Sequence, residues 1–208
     1  MALFYEVHTG TVVDLKDPEK RGRLIVTIPT LADDTFPEWV DPSFPFAGNN
    51  CGFFALPPVG TAVKCEVHRG DGPDATIDTP HVRWCGVLFN RVDQIPDEFK
   101  DHYPKVIGFK SPAGHILIFD DLEGQEFVFL GHAKKLKTFL CFDRNGSVAL
   151  HCEGIKGGEF GLALDANTGM VQLYGISSVE IKAKGHINID APAITLAGRV
   201  VTHNGEPI

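Results

Sequence analysis

The sequence predicts an all-β protein in which an N-terminal antiparallel barrel precedes an elongated β-structure built from repeated short strands. Two observations indicate this fold class. From about Gly114 onward, apolar residues recur as pairs at positions i and i+2, and glycines punctuate the series. No segment shows the apolar periodicity of an amphipathic helix of three or more turns.

The first half of the chain contains five segments with strand signals, at residues 4–15, 22–29, 51–56, 60–68 and 81–89. Asp17-Pro18 predicts a polar turn between the first two, and Gly22 is expected to end that turn. Pro57-Pro58 marks a strand end, because proline cannot donate to a ladder. Short strands separated by such turns predict a small antiparallel barrel.

The second half is a series of apolar pairs whose spacing tightens to about eight residues toward the C-terminus. One short strand with one apolar face cannot bury that face alone, whereas stacked strands met by other copies of the chain can. The pattern therefore predicts an intertwined rod and a mechanical or scaffolding role. The pairs are Ile116/Ile118, Phe127/Phe129, Leu140/Phe142, Val148/Leu150, Leu162/Leu164, Val171/Leu173, Val179/Ile181, Ile187/Ile189 and Ile194/Leu196.

Bulk composition narrows the function classes. The chain is 43% hydrophobic and 22% charged, which is typical of a folded protein. Its formal net charge of −8 argues against a nucleic-acid partner, since phosphate binding requires a basic surface. The N-terminal residues do not form a secretory signal, and no apolar run is long enough for a transmembrane helix. Five cysteines without a C-x-x-C spacing predict free thiols rather than disulfides or a zinc site.

Three regions follow from these patterns. Residues 1–95 hold the predicted barrel, and residues 113–208 hold the repeats. The stretch 96–112 between them is polar and proline-containing, with few candidates for core positions, and is interpreted as a connector.

A series of short motifs follows in a fixed order along the N-terminal part. They are Gly10-x-Val12, Asp17-Pro18, Gly22-Arg23, Val26, Pro29, Trp39-Val40, Ala47-Gly48, Leu56-Pro57-x-Val59-Gly60, Val63 and Gly70-Asp71. This order resembles the OB-fold domain of phage baseplate central spike proteins, a family that includes the baseplate assembly protein V group and the VgrG proteins of type VI secretion. The stretch 114–121 is similar to the segment that opens the trimeric β-helix in that family.

This resemblance implies a homotrimeric central spike in a contractile tail baseplate. The OB-fold collar would attach to hub and tail tube proteins, and the trimeric β-helix would be pushed through the target outer membrane when the sheath contracts. Such a protein is synthesised in the host cytoplasm and resides in the virion, and it needs no cofactor. The absence of an apical domain leads us to expect a separate tip protein at the C-terminal end.

A VgrG-like adaptor that docks a tip or effector protein is the alternative function. VgrG chains usually carry a further hub region ahead of the barrel, whereas the barrel here begins at residue 4. The sequence does not distinguish a phage from a domesticated injection device, nor does it name the host.

Catalysis is not expected. Asp120-Asp121, with Glu123 nearby, has the residue types of a paired-carboxylate hydrolase, but successive strand residues point to opposite faces. We therefore expect an acidic turn cap at the end of the strand. Some family members insert a lysozyme domain between barrel and β-helix, and the connector here is too short for one. A cell-wall hydrolase remains a rival that turnover of purified peptidoglycan would reveal.

No metal site is expected either. Nine histidines are scattered without H-x-H or H-E-x-x-H spacing. Several family members bind iron near the tip through an H-x-H pair, and this chain offers only His203 there. Three copies of His203 around a threefold axis remain the alternative that would hold an ion.

An aromatic group in the acidic, proline-rich stretch that follows Asp33 is the candidate partner interface. Aromatic residues are enriched at interface cores, so we expect this group to contact a neighbouring subunit or partner, with packing inside the chain as the alternative. The group consists of Phe36, Trp39, Phe44 and Phe46.

Overall fold

The structure is a computed structural model that describes residues 4–31, 36, 38–69, 80–133, 135–154, 157–192, 202–203 and 206–207. Strands dominate these residues, and the predicted all-β class is confirmed. The strands of the first half are β1 (Phe4–Asp14), β2 (Ile25–Thr27), β3 (Asp41–Pro42), β4 (Ala47–Gly48), β5 (Cys51–Gly52), β6 (Ala62–Arg69) and β7 (His81–Leu88).

Five of these strands form a closed barrel. Their order in the sheet is β2-β1-β6-β7-β3, with β3 parallel to β7 and the other neighbours antiparallel. The ring closes between Leu24, just before β2, and Val40, just before β3, which exchange backbone hydrogen bonds of 3.1 and 2.8 Å. The interior is apolar, and its buried side chains are Val12, Leu24, Val26, Ile28, Val40, Val63, Cys65, Val67, Val82 and Trp84.

The predicted turn at Asp17-Pro18 is held by one carboxylate. The Asp17 side chain accepts backbone N–H bonds from Glu19, Arg21 and Arg23 at 3.0, 2.7 and 3.3 Å. It also accepts two bonds from the Arg23 guanidinium, at 3.0 and 2.6 Å. Gly22 follows with φ of 85°, a left-handed conformation that suits glycine and ends the turn as expected.

The prediction of a barrel strand at residues 51–56 is wrong. Only β5 forms there, and it pairs with β4 in a separate two-stranded sheet, while β3 supplies the fifth barrel strand. A tight turn at Asn49-Asn50 sends the chain back on itself, with Asn50 at φ of 56°. Pro57-Pro58 then prevents continuation as a ladder strand, because neither residue has a backbone N–H.

The second half contains a seven-stranded antiparallel sheet in which each strand pairs with its neighbours in sequence. Six of the nine predicted apolar pairs lie on its strands. The strands are β8 (Val106–Lys110), β9 (Ile116–Asp120), β10 (Phe127–His132), β11 (Lys135–Asp143), β12 (Val148–Glu153), β13 (Glu159–Asp165) and β14 (Met170–Tyr174).

The stretch interpreted as a connector is folded onto this sheet. It contains a short 3-10 helix, Asp97–Phe99, and a second one, Val92–Gln94, lies just before it. Strand β8 begins at Val106, inside the interval 96–112. The Phe99 ring lies over Gly108, where an added Cβ would stand 2.4 Å from the ring. Lys110, which lies on the same strand as Gly108, donates a hydrogen bond of 2.6 Å to the Glu98 carboxylate in the 3-10 helix. The division into 1–95, 96–112 and 113–208 stays a prediction, but the sheet starts earlier than that division places it.

The last repeats differ from expectation. Residues 175–192 are exposed and form no strand, although Val179/Ile181 and Ile187/Ile189 have the alternation of strands. Alternation selects a face only when a neighbouring strand completes the ladder, and none of the described strands pairs with this segment. Pair Ile194/Leu196 lies outside the described residues. Near the C-terminus β15 (Thr202–His203) pairs with β16 (Glu206–Pro207).

Candidate interaction surfaces

One face of the seven-stranded sheet is entirely apolar in its two central rows. Because directly paired residues share a face, the strand registers trace each row across all seven strands. One row is Phe109, Leu117, Leu130, Leu140, Leu150, Leu162 and Leu173. The other is Ile107, Phe119, Val128, Phe142, Val148, Leu164 and Val171. These two rows are called the apolar face below.

The apolar face is uncovered in the single chain. None of its side chains is buried, and nine of them are between 39% and 68% exposed. Soluble monomers rarely expose a contiguous apolar patch of this extent, so such a face marks an interaction surface. The nine are Ile107, Phe109, Phe119, Leu130, Phe142, Leu150, Leu164, Val171 and Leu173.

The opposite face is partly covered by the chain's own connector. The sheet positions that are buried lie on β9, namely Ile116, Ile118 and Asp120, under the segment that carries Phe99 and His102. Farther along, this face carries charge: Lys137 contacts Glu159, whose carboxylate also lies 3.3 Å from His151 Nε2. The hydrogen bond between these two side chains lowers the pKa of Glu159 and raises the pKa of Lys137. The two faces therefore differ in polarity as well as in cover.

The registers correct the expected continuity of the apolar pairs. Ile116/Ile118 and Phe127/Phe129 lie on the connector-covered face, whereas the four pairs from Leu140/Phe142 to Val171/Leu173 lie on the apolar face. Strands β9 and β10 are apolar on both faces, so alternation alone does not identify which pair continues the rows.

Asp120 has the predicted capping role. Its Oδ1 accepts the Leu122 backbone N–H at 3.0 Å, and its Oδ2 lies 2.5 Å from His102 Nδ1. The side chain is buried, whereas Asp121 is exposed. This arrangement fixes the strand end and ties the connector to the sheet, and it does not bring Asp120 and Asp121 together as a catalytic pair.

The described part of the chain holds no group of three or more His, Cys, Asp or Glu side chains arranged to bind a metal ion. The side chain of His203 lies outside what the structure describes, so the expectation there stays untested. No helix among the described residues is both long and apolar enough to span a membrane. All five cysteines are free thiols, and burial raises the pKa of Cys65 to about 11.

The four predicted interface aromatics occupy different environments. Phe36 and Phe44 pack against the barrel core, and Phe44 meets the Trp84 ring edge-on at 5.3 Å. Trp39 is half-buried, with the Arg23 guanidinium carbon 6.0 Å from its ring centroid. Phe46 exposes most of its ring. Their interface role stays a prediction, and Phe46 alone of the four has the exposure that such a role needs.

A second exposed surface was not anticipated. Phe46, Phe53 and Phe54 are 59%, 50% and 64% exposed at the base of the β4–β5 hairpin, and these three residues are called the hairpin patch below. They lie in a stretch without any charged residue or histidine between Asp41 and Lys64. That absence of charge, in a chain with net charge −8, is the sequence signal that would have identified the patch.

Residues 8–79 match a family described as the type VI secretion system/phage-baseplate injector OB domain. No curated protein matches the chain.

Proposed function

Since residues 8–79 match the injector OB-domain family of phage baseplates and type VI secretion systems, we propose that this chain is the central spike of a contractile injection device. In this proposal the OB domain attaches the spike to hub and tail tube proteins. The strand-rich second half is the rod that passes through the target outer membrane. The observation that carries the proposal is the apolar face, which follows the matched injector domain and is left uncovered by the described residues.

The proposed assembly is a homotrimer in which the apolar faces of three copies meet around a common axis. The face contains only apolar side chains over seven strands, so it is complementary to itself and offers nothing to a charged partner. A stable protein interface buries roughly 800 Å² on each partner. Nine large apolar side chains exposed by about half amount to an area of this order.

The last repeats support the same assembly. Residues 175–192 keep the Val/Ile alternation of strands, and no strand in the described part of the chain pairs with them. Strands donated by neighbouring copies would satisfy these backbone groups and bury Val179, Ile181, Ile187 and Ile189. The intertwined β-helix is thus proposed for the C-terminal part, and the antiparallel sheet forms one side of the rod above it.

The proposed action is mechanical and needs no catalytic step or cofactor. Unfolding a rod of this kind requires many interchain ladders to open together, which gives a high kinetic barrier under axial load. The ion pair of Lys137 and Glu159 would face solvent on the outside of the rod. A separate tip protein at the C-terminal end remains part of the proposal.

A spike of a type VI-like device that docks a tip or effector protein is the second candidate, because the matched family spans both kinds of machine. The two candidates share the trimer and differ in what binds at its ends. Identification of proteins that copurify with each end of the assembled spike distinguishes them.

A matched pair of substitutions on β14 tests the trimer. Leu173 lies on the apolar face and Tyr174 on the opposite face, and they are 56% and 38% exposed in the single chain. Leu173→Lys would place a charge in the shared core, so we expect the trimer to dissociate at micromolar concentration. Tyr174→Lys should leave the mass threefold that of the monomer. Light scattering measures the solution mass of both variants. The same mass for the two variants would contradict the proposal that the apolar face lies inside the trimer.

A further inference from the structure

The hairpin patch has the physical character of a docking site. Every residue from Pro45 to Phe54 is exposed, so three phenylalanine rings stand in solvent on a two-residue ladder. An isolated two-stranded hairpin is only marginally stable in water, and the exposure of its aromatic rings to solvent is an additional unfavourable contribution to its free energy. Of the three rings, Phe54 contacts Phe44 at 5.5 Å, so the hairpin is anchored to the barrel at its C-terminal end.

The chemistry of the surroundings points to a protein partner with an uncharged apolar surface. No charged side chain lies between Asp41 and Lys64, and interface cores are depleted in charge and enriched in aromatic residues. Strands β4 and β5 pair only with each other among the described residues, so their outer edges retain backbone donors and acceptors. A protein can satisfy those edges by strand addition, whereas a lipid surface offers no matching ladder.

The size of the patch separates it from the interface of the trimer. Three rings exposed by about half cover only a few hundred Å², which is well below the roughly 800 Å² per partner of a stable interface. A patch of this size binds strongly only when several copies engage together. A trimer presents it three times, and each copy lies within the matched injector domain rather than on the sheet.

We propose that the hairpin patch docks the spike onto a baseplate protein that presents an uncharged apolar surface in threefold or ring arrangement. This inference rests on the proposed function, because it requires the trimer and its place in the device. It assigns the attachment to Phe46, Phe53 and Phe54, of which the sequence pattern predicts only Phe46.

Cys51 provides the means to test this docking. It lies exposed in β5, whereas Cys65 is buried and the other three cysteines are half-buried. A thiol-reactive photocrosslinker is attached to the full chain at Cys51, and the labelled protein is assembled into particles. The control is C51S/F89C, which moves the probe to Phe89, an equally exposed aromatic position outside the charge-free stretch. A C51S chain corrects for labelling of the remaining thiols.

We expect an adduct from Cys51 whose mass is not a multiple of 22.7 kDa, and no such adduct from position 89. Adducts at multiples of 22.7 kDa would assign the patch to contacts between copies and overturn the inference. A lipid adduct, or no adduct in particles that contain the chain, would overturn it as well. Failure of the unlabelled chain to sediment with particles would instead remove the proposed function on which the inference rests.

A double variant gives an independent readout. F46S/F53S should keep the trimer mass in solution, because the patch lies outside the apolar face. Its incorporation into particles should fall at least about tenfold, as expected for loss of central aromatic contacts. Phe89→Ser is the matched control and should incorporate normally. Normal incorporation of F46S/F53S, or dissociation of its trimer, contradicts the assignment.

Discussion

Asp17 shows how a single residue fixes the entry to the barrel. Its carboxylate accepts three backbone N–H groups and the Arg23 guanidinium, and its side chain is only 3% exposed. The Arg23 guanidinium, followed by these N–H groups, holds the pKa of Asp17 well below its usual range, despite the opposing effect of desolvation. One charged group thus sets the turn geometry that brings Leu24 to its closing partner Val40.

The depressed pKa of Asp17 predicts an acid-dependent stability term. A carboxyl group whose pKa is lower in the folded than in the unfolded state stabilises the fold at pH values above its unfolded pKa of about 4. That stabilisation is lost as the pH falls through the folded pKa. We therefore expect Asp17→Asn to lower the melting temperature at pH 7 and to narrow its difference from wild type toward pH 2. Thermal denaturation from pH 7 to pH 2 measures this, and a constant difference would contradict the mechanism.

At the scale of elements, the part of the connector that precedes β8 packs on the sheet and clamps it, and it is not a loose linker. The Phe99 ring covers Gly108, Lys110 binds Glu98, and His102 reaches the buried Asp120. These contacts explain why the buried positions of the sheet lie on β9, next to the connector. They also leave the apolar face free along its whole width.

Gly108→Ala tests the clamp. The added Cβ would lie 2.4 Å from the Phe99 ring and 2.8 Å from the Leu117 carbonyl oxygen, so ring or strand must shift. We expect a loss of about 1–3 kcal/mol in unfolding free energy, as for other overpacked sites. Gly86→Ala is the control, because its Cβ would meet nothing nearer than 3.9 Å. Its effect should stay within about 0.5 kcal/mol, and a similar loss in both variants would argue against the clamp.

The sequence was most informative where local chemistry decides the structure. Asp17 and Gly22 determine a turn by themselves, and alternation in β11 to β14 identifies the apolar face of those strands. It was least informative where a choice depends on distant partners. Strands β9 and β10 are apolar on both sides, so only the registers and the covering connector reveal which side joins the rows.

Two short elements escaped sequence reasoning for a related reason. Asp41–Pro42 becomes the fifth barrel strand through its pairing with β7, although two residues carry no periodic signal. Phe53 and Phe54 read as strand residues because their sequence is apolar, yet the Asn49-Asn50 turn leaves both rings in solvent. Of the three residues of the hairpin patch, the sequence pattern therefore predicts only Phe46.

At the scale of the whole molecule, the chain divides its surface chemistry between two tasks. The closed barrel carries the injector-family match and the hairpin patch, whereas the sheet and the later repeats carry the apolar surface. Within one copy, the residues that the structure describes leave the apolar face uncovered. We therefore propose that the functional unit is a trimer, and we expect isolated chains to aggregate or to remain incompletely folded in residues 175–192.

The solution mass and shape of the purified full-length chain test this central claim most directly. Light scattering should give a mass about three times 22.7 kDa, and small-angle scattering should show an elongated profile. A compact particle of 22.7 kDa would contradict the account, because the apolar face would then remain exposed in a stable monomer.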